Sequence, residues 1–306
     1  MAPRAWPAVL LLLLSPLSGA QEFEASADRA VSNAAAPTLS GLPPRADLSH
    51  HFADGPRVQG RLNSCHSFVA VALLESAYFR RHGRTIRLSE ADLFVRGRAR
   101  GLLRGRETGM LRPAVRLALD GGVIPGDLYA ELTARWPEFR TKALKILRGR
   151  ESVVEELLPE SATPEADAAR EKVRAELAGF EMGGDSFLRF AGNAARSAWK
   201  KGAVRCDAER VAKLLERKLA AGIPVGVGLL SGWAPSEEWR RDSDDKGAHY
   251  FTVIGYERGA AGTVFKTRNT WSVERGGSPA LSGADLCEIF AMTWVAEEVI
   301  PRFTAR

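Results

Sequence analysis

The fold prediction rests on one stretch of the chain, Gln59-Gly60-Arg61-Leu62-Asn63-Ser64-Cys65-His66-Ser67-Phe68. Asn63 or Ser64 can cap a helix here, and residues 68–74 are apolar on nearly every side. A helix that is apolar all round is buried, so we expect a central helix that stops at Gly83. Cys65 then occupies its first turn, where unpaired amides and the helix dipole favour a thiolate below a pH of about 8.5. Cys65 is therefore a candidate nucleophile, and an inert buried cysteine is the alternative.

A reactive thiol needs a base that takes its proton and later returns it, and imidazole suits both steps. The chain has five histidines, His50, His51, His66, His82 and His249. His66 follows Cys65 on the helix, so its side chain points about 100° away. His249 instead opens an apolar strand, residues 249–256, whose rigid frame can aim the ring into a cleft. We therefore expect His249 to be the base; a surface histidine at a strand start is the alternative.

An imidazole base also needs a third group that holds it in one tautomer. The next predicted strand ends in Arg268-Asn269-Thr270-Trp271-Ser272. Antiparallel pairing through a turn at 259–262 would bring Asn269 close to His249, and Trp271 could shield the bond between them from water. Taken alone, Asn269 and Trp271 are only a turn residue and a core aromatic.

These residues, in this order, resemble the papain family of cysteine peptidases (peptidase C1, cathepsin-like). The family's Gln-Gly…Ser-Cys-x-x-Phe block is similar to residues 59–68, with Gln59 six residues before Cys65. Its histidine block is similar to Gly247-Ala248-His249 and the strand that follows, and its asparagine block to residues 266–271. The match covers about residues 45–130 and 205–300, and three ordered blocks are more specific than any one alone.

The chain also departs from the family pattern. The departures beside the blocks are Leu62 for a disulfide cysteine, Asn63 for glycine, His66 for tryptophan and Ser272 for glycine. Cys65 and His249 lie 184 residues apart, against roughly 130 to 150 in the family. The surplus corresponds to a helical insertion that we predict at about residues 131–200, where Ala, Glu, Leu, Lys and Arg recur at helical spacing.

The resemblance implies an α+β, papain-like two-lobed fold, in which a helical lobe carries Cys65 and a β-barrel-like lobe carries His249 and Asn269. It implies a hydrolase of the thiol protease class, with Gln59 and the Cys65 amide as donors to the oxyanion. The expected partner is a peptide or protein substrate, and the family's chemistry requires no metal and no cofactor.

Two other functions stay open. A catalytically silent papain-like binding module is one, because His66 and Ser272 alter the surroundings of the site. A thiol acyltransferase of the transglutaminase kind is the other, although such an enzyme would place an aspartate third and has no use for the spacing of Gln59.

Composition excludes several broad classes of protein. The chain has 306 residues with 43 basic and 37 acidic side chains, a formal charge of +6, which is not extreme enough for disorder or for nucleic-acid binding. Three cysteines cannot all pair, and whether Cys206 and Cys287 form a disulfide stays open.

Residues 1–20 carry the pattern of a cleaved signal peptide. Arg4 supplies a positive start, residues 8–14 form an apolar run too short to span a membrane, and Ser18-Gly19-Ala20 offers small residues for cleavage. We therefore expect a secreted or periplasmic protein with an N-terminal arm at 21–45 and a peptidase domain at 46–306. No later stretch is predicted to span a membrane.

Overall fold

Helices dominate the first half of the chain and strands the second. The structure, a computed structural model, describes residues 41–59, 64–100, 111–135, 163–183, 208–229, 249–270, 278–286 and 296–302. The helices in these ranges are α1 (Cys65–His82), α2 (Glu90–Ala99), α3 (Leu111–Gly121), α4 (Gly126–Arg135), α5 (Pro164–Glu176) and α6 (Ala208–Ala220). The strands are β1 (Arg45–Asp47), β2 (Phe180–Gly183), β3 (Val225–Leu229), β4 (His249–Gly259), β5 (Gly262–Arg268), β6 (Ala280–Ser282) and β7 (Ala296–Pro301). The predicted α+β class is confirmed in this mixture of helices and strands.

Helix α1 is the central buried helix that its sequence predicts. Thirteen of its 18 residues are buried, and it ends where Gly83 adopts a φ of 65° and donates its amide to Phe79 O at 2.8 Å. Glycine reaches this left-handed backbone at little cost, which explains the stop. The start differs from the prediction, because the Ser64 side chain makes no capping hydrogen bond. The Ser64 carbonyl instead accepts from the Ser67 amide at 2.8 Å.

Strand β4 organises the sheet. The order of the strands in the sheet is β2-β7-β3-β4-β5-β6. Strand β1 lies outside this order and pairs with β4. The β4–β5 hairpin is antiparallel and turns at Gly259 and Gly262, as predicted. The other edge of β4 pairs first with β3 and then with β1, where Gly255 lies opposite Asp47. A Cβ on Gly255 would lie 2.6 Å from Ala46 O, so only glycine lets β1 approach this closely.

The sheet differs from the β-barrel-like lobe that the resemblance implies. The described strands form an open sheet, because the strands at its two ends, β2 and β6, do not pair with each other in the described ranges. These end strands have only four and three residues. Short terminal strands cannot supply the continuous ladder that closes a barrel.

Two hydrophobic clusters lie on the two sides of this framework. One joins α6 to the sheet, with Leu215 and Leu219 against Phe251 and Phe265. The other joins α1 to the helices around it and includes Cys65, Tyr250 and Val299; its main helical members are Val69, Leu73, Leu93, Val115, Val173 and Leu177. At the start of β4 the neighbours Tyr250 and Phe251 thus contribute to different clusters, because successive side chains of a strand point to opposite faces.

The described part of the predicted insertion contains both a helix and a strand. Arg170 of α5 donates to Asp92 of α2 at 2.7 Å, and both side chains are buried. Strand β2 pairs antiparallel with β7, with Phe180 opposite Pro301. The sequence predicted helices here and missed the strand. This segment is thus built into the helical cluster and the sheet.

The end of the predicted N-terminal arm packs against strand β4. Leu42 is buried, Pro43 O accepts from Tyr256 Oη at 2.7 Å, and Pro44 O accepts from the Arg258 amide at 2.9 Å. Residues 1–40, which include the predicted signal peptide, lie outside the described residues. Within the described ranges no helix has both the length and the apolar character needed to cross a bilayer.

Candidate active site

Cys65 is the first residue of α1 and is only 2% exposed. Burial raises the pKa of its thiol to about 11, although the backbone amides of Tyr250, His66 and Cys65 hydrogen-bond the sulfur and lower it. The expectation of a thiol pKa below about 8.5 is therefore wrong, because desolvation outweighs the amides at the helix start. The Tyr250 amide brings the beginning of β4 to the thiol, and His249 is the residue that precedes Tyr250 on this strand.

The first residue of β4 is His249, and its Nε2 lies 2.6 Å from Asn269 Oδ1. The same oxygen accepts the Thr270 amide at 2.8 Å, which fixes the orientation of the carboxamide. A carboxamide oxygen only accepts, so Nε2 of the ring carries the hydrogen. The neutral imidazole consequently has its lone pair on Nδ1. This is the tautomer that can receive a proton from a thiol.

Both members of this pair are buried. Asn269 is fully buried and His249 is 8% exposed. Burial lowers the pKa of His249 to about 4, while the hydrogen bond to Asn269 raises it. With the Cys65 pKa raised and the His249 pKa lowered, burial favours the neutral thiol and the neutral imidazole at pH 7.

Gln59 is joined to the same strand end by two hydrogen bonds. The backbone amide of Gln59 donates to Thr270 O at 2.9 Å, and its side-chain Oε1 accepts from Thr270 Oγ1 at 2.6 Å. Because the carbonyl end of the carboxamide faces Thr270, the NH2 end is turned away from it. Hydrogen bonds thus run from His249 through Asn269 and Thr270 to Gln59.

The structure brings together His249, Asn269 and Gln59 by these hydrogen bonds and adds Cys65 through the Tyr250 amide. Trp271, the predicted shield of the His249–Asn269 bond, lies outside the described residues. Cys65 is a free cysteine; Cys206 and Cys287 are also outside the described ranges. In those ranges, no group of three or more His, Cys, Asp or Glu side chains could hold a metal ion.

His66 is placed as a core residue. It is 1% exposed, its ring lies 5.7 Å from that of Phe94, and burial lowers its pKa to about 3. Neither ring nitrogen has a hydrogen-bond partner among the described residues. A neutral imidazole thus packs where the resemblance has tryptophan.

Sequence reasoning missed a group of charges next to the site. We name it the buried charge cluster, and it consists of Asp54, Arg57, Glu75, Glu90 and Arg268. Burial raises the pKa of Glu75 to about 7, and the Arg57 charge opposes this rise. Burial also disfavours the Arg57 guanidinium, but the Glu75 and Glu90 charges outweigh it and raise its pKa. The sequence signal that could have revealed this cluster is Glu75, a glutamate inside an apolar helix, because a buried carboxylate needs a partner.

No family model matches the chain, and no curated protein matches it. Among solved structures it is similar to the Amb a 11 cysteine protease, a major ragweed pollen allergen, in its proform, at 18% identity over 87% of this chain and 67% of that one, with a TM-score of 0.48. It is similar to xylellain, a cysteine protease from Xylella fastidiosa, at 16% identity over 87% and 88% of the two chains, with a TM-score of 0.49. A recombinant stem bromelain precursor shares 14% identity over 87% of this chain and 72% of its own, with a TM-score of 0.46.

These solved structures are papain-like cysteine proteases, the family that the sequence resembles.

Proposed function

We propose that this protein is a cysteine-type peptidase that hydrolyses peptide bonds with Cys65 as nucleophile, His249 as base and acid, and Asn269 as the residue that orients the ring. The observation that carries the proposal is the 2.6 Å bond from His249 Nε2 to Asn269 Oδ1 beside the start of α1. It leaves the Nδ1 lone pair of the imidazole to take a proton.

In the first half of the reaction, His249 Nδ1 takes the proton of Cys65 as the sulfur attacks the carbonyl carbon of the substrate. The tetrahedral oxyanion is stabilised by the Gln59 NH2 group and the Cys65 backbone amide. His249 then gives the proton to the leaving amine, and the C–N bond breaks to form a thioester. Since both groups are neutral at rest, the proton moves during the attack and not before it.

In the second half, water replaces the amine. His249 Nδ1 takes a proton from the water as its oxygen attacks the thioester carbonyl, and the same oxyanion donors act again. The proton passes to the sulfur, the C–S bond breaks, and the carboxylic acid leaves. Asn269 keeps the ring in the required tautomer throughout, because its oxygen can only accept a hydrogen bond and Nε2 must therefore keep its hydrogen.

The two hydrophobic clusters support a two-lobed arrangement, with Cys65 on the helical lobe and His249 and Asn269 on the sheet lobe. We place the peptide substrate in a cleft between these lobes. We also propose that residues 1–20 direct export to a secreted or periplasmic location and are then removed. Sequencing the amino terminus of the exported protein tests this, and a mature chain that retains Met1 would contradict it.

One observation favours the alternative of a catalytically silent binding module. Cys65 and His249 are 2% and 8% exposed, so a substrate must displace some covering atoms to reach them. A binding module needs no such access to the thiol. An acyltransferase has no observation of its own in the described residues.

One assay separates these functions. The purified protein is incubated with a quenched fluorescent peptide library, with and without an added primary amine. We expect cleavage in both conditions and peptide acids as products, because water completes the reaction. Amide products that appear only with the amine would indicate acyl transfer, and binding without turnover would indicate the silent module.

A further inference from the structure

Two arginines lie close in sequence to the two carboxamide residues of the proposed site. Arg57 precedes Gln59 by two residues, and Arg268 immediately precedes Asn269. Both arginines meet one carboxylate: Arg268 Nη2 donates to Asp54 Oδ1 at 3.2 Å, and Arg57 Nε lies 3.6 Å from the same oxygen. The segment that carries Gln59 and the strand end that carries Asn269 are therefore joined through Asp54.

Arg57 is also held from the helical side. Its Nη2 donates to both oxygens of Glu75 at 2.6 and 2.7 Å, and its Nη1 donates to Leu88 O at 3.0 Å. Its Nη1 further forms an ion pair of 2.8 Å with Glu90 Oε1. The Arg57 side chain is 14% exposed and that of Glu75 only 1%. A planar guanidinium with this many fixed acceptors has little freedom to turn.

Glu75 connects this arrangement to the nucleophile, because it lies on α1. It is ten residues from Cys65, which corresponds to about 15 Å along a rigid helix. Arg57 is thus fixed relative to the helix that carries the thiol. Gln59, two residues further on, is fixed relative to Thr270 by its own two hydrogen bonds.

A small cavity lies between Arg57 and the Asn269 strand end. Its lining is mixed: polar residues from both segments and the α1 side chains Phe68, Val69 and Ala72 surround it. The hydrogen bonds that join the two segments are those of Gln59 to Thr270 and of Arg268 to Asp54. Arg57 adds the link from the Gln59 segment to the helical side, through Glu75, Glu90 and Leu88.

We propose that Arg57 is a positioning residue for peptide hydrolysis. Held by Glu75 and Glu90, it fixes the segment from which Gln59 directs its NH2 group at the oxyanion. The inference rests on the proposed peptidase function. A donor misplaced by about 1 Å costs on the order of 10²-fold in rate, so Arg57 acts on the transition state through Gln59.

The first test is Arg57→Met in the full-length protein. We expect kcat to fall by roughly 10- to 100-fold with little change in KM, because the loss falls on the oxyanion and not on substrate binding. Arg57→Lys should recover part of the loss, since it keeps the charge between Glu75 and Glu90 but not the fork. The matched control is Arg87→Met, whose side chain is 50% exposed and lies 3.5 Å from Asp54. It should leave kcat unchanged.

The decisive test is a double-mutant cycle with Gln59→Ala, which alone should lower kcat by roughly 100-fold. If Arg57 acts through Gln59, the double variant has a kcat less than about threefold below that of Gln59→Ala alone. A purely structural role would instead multiply the two effects, to roughly 10³- to 10⁴-fold. Multiplied effects, or an Arg57→Met enzyme with wild-type kcat, would overturn the proposal.

Glu75→Gln provides a second variant in case Arg57→Met does not fold, because it keeps the shape of the side chain and one acceptor oxygen for the Leu88 amide while it removes the charge and the second acceptor for Arg57. It should lower kcat and show the same non-additivity with Gln59→Ala. A protein that cleaves peptides but shows multiplied effects refutes the Arg57 proposal alone. A protein that cleaves no peptide refutes the proposed function, and the Arg57 proposal falls with it.

Discussion

Burial decides the ionisation of the proposed catalytic pair. The helix start favours an anion at Cys65, but the side chain is so little exposed that the cost of desolvation is larger. The same burial keeps His249 neutral. Proton transfer from Cys65 to His249 is therefore unfavourable at rest, and in the proposed mechanism it would accompany the attack on the substrate, with Asn269 orienting the ring.

The raised thiol pKa predicts the pH dependence of Cys65 alkylation. Because the pKa lies at about 11, the thiolate fraction grows tenfold per pH unit across the range below it. We expect the rate of iodoacetamide labelling at Cys65 to be still rising at pH 9. Peptide mapping by mass spectrometry separates Cys65 from Cys206 and Cys287. A plateau reached below pH 8.5 would instead indicate a thiolate–imidazolium pair at rest.

Asn269 should contribute less than His249 because it carries no proton in the reaction. We expect Asn269→Ala to lower kcat by roughly 10- to 100-fold and His249→Ala by at least roughly 10³-fold. The comparison is made on one peptide substrate at saturating concentration. Equal losses would show that Asn269 does more than orient the ring. Ser278→Ala, which removes an exposed hydroxyl bonded only to the Asn269 amide, is the control.

At the level of elements, local pattern predicted the central helix and the central hairpin. Helix α1 stops at Gly83 as predicted, and the β4–β5 hairpin turns between Gly259 and Gly262. Apolar periodicity and glycine stops act within a few neighbouring residues, so the sequence displays them directly.

The strands that the sequence did not predict are β1, β2, β6 and β7. The first three have only three or four residues, too few for a recognisable alternation. A pairing partner can also lie far along the chain: β2 pairs with β7, more than 100 residues later. The same holds at the site, where Gln59 bonds to Thr270 and no local pattern indicates the contact.

Helix α5 should depend on its buried ion pair with α2. Arg170→Met leaves Asp92 with Arg96 as its remaining cation, at 3.3 Å, and we expect a loss of roughly 3 kcal/mol in the free energy of unfolding. Urea denaturation measures this. Arg174→Met on the same helix removes an exposed pair with Glu171 and should leave the midpoint unchanged. Equal midpoints for the two variants would show that the docking of α5 does not depend on Arg170.

At the scale of the molecule, buried histidines make stability depend on pH. Burial lowers the pKa of His51 and His249 to about 4 and of His66 to about 3. Below a pH of about 6.5 these histidines bind protons in the unfolded chain but stay neutral in the folded protein. The free energy of unfolding therefore decreases as the pH falls toward 4. Glu75, with a pKa raised to about 7, and Glu90, whose pKa burial also raises, act in the opposite direction, but they are two groups against three.

Thermal unfolding between pH 7 and 4 tests this balance. We expect Tm to decrease steadily as the pH falls through 6.5. His66→Phe should make the decrease smaller, because it removes one buried group that resists protonation. His82→Phe, an exposed histidine of the same helix, should leave the slope unchanged. A Tm that rises toward pH 4 would mean that carboxylates, and not histidines, dominate.

The central claim is that Cys65 performs peptide hydrolysis. The most direct measurement compares kcat of the unaltered protein and of Cys65→Ala on a cleaved peptide from the quenched library, with far-UV circular dichroism to establish that both are folded. The account predicts turnover by the unaltered protein and none detectable above background by a folded Cys65→Ala. Equal turnover by the two proteins, or none by the unaltered protein, would contradict it.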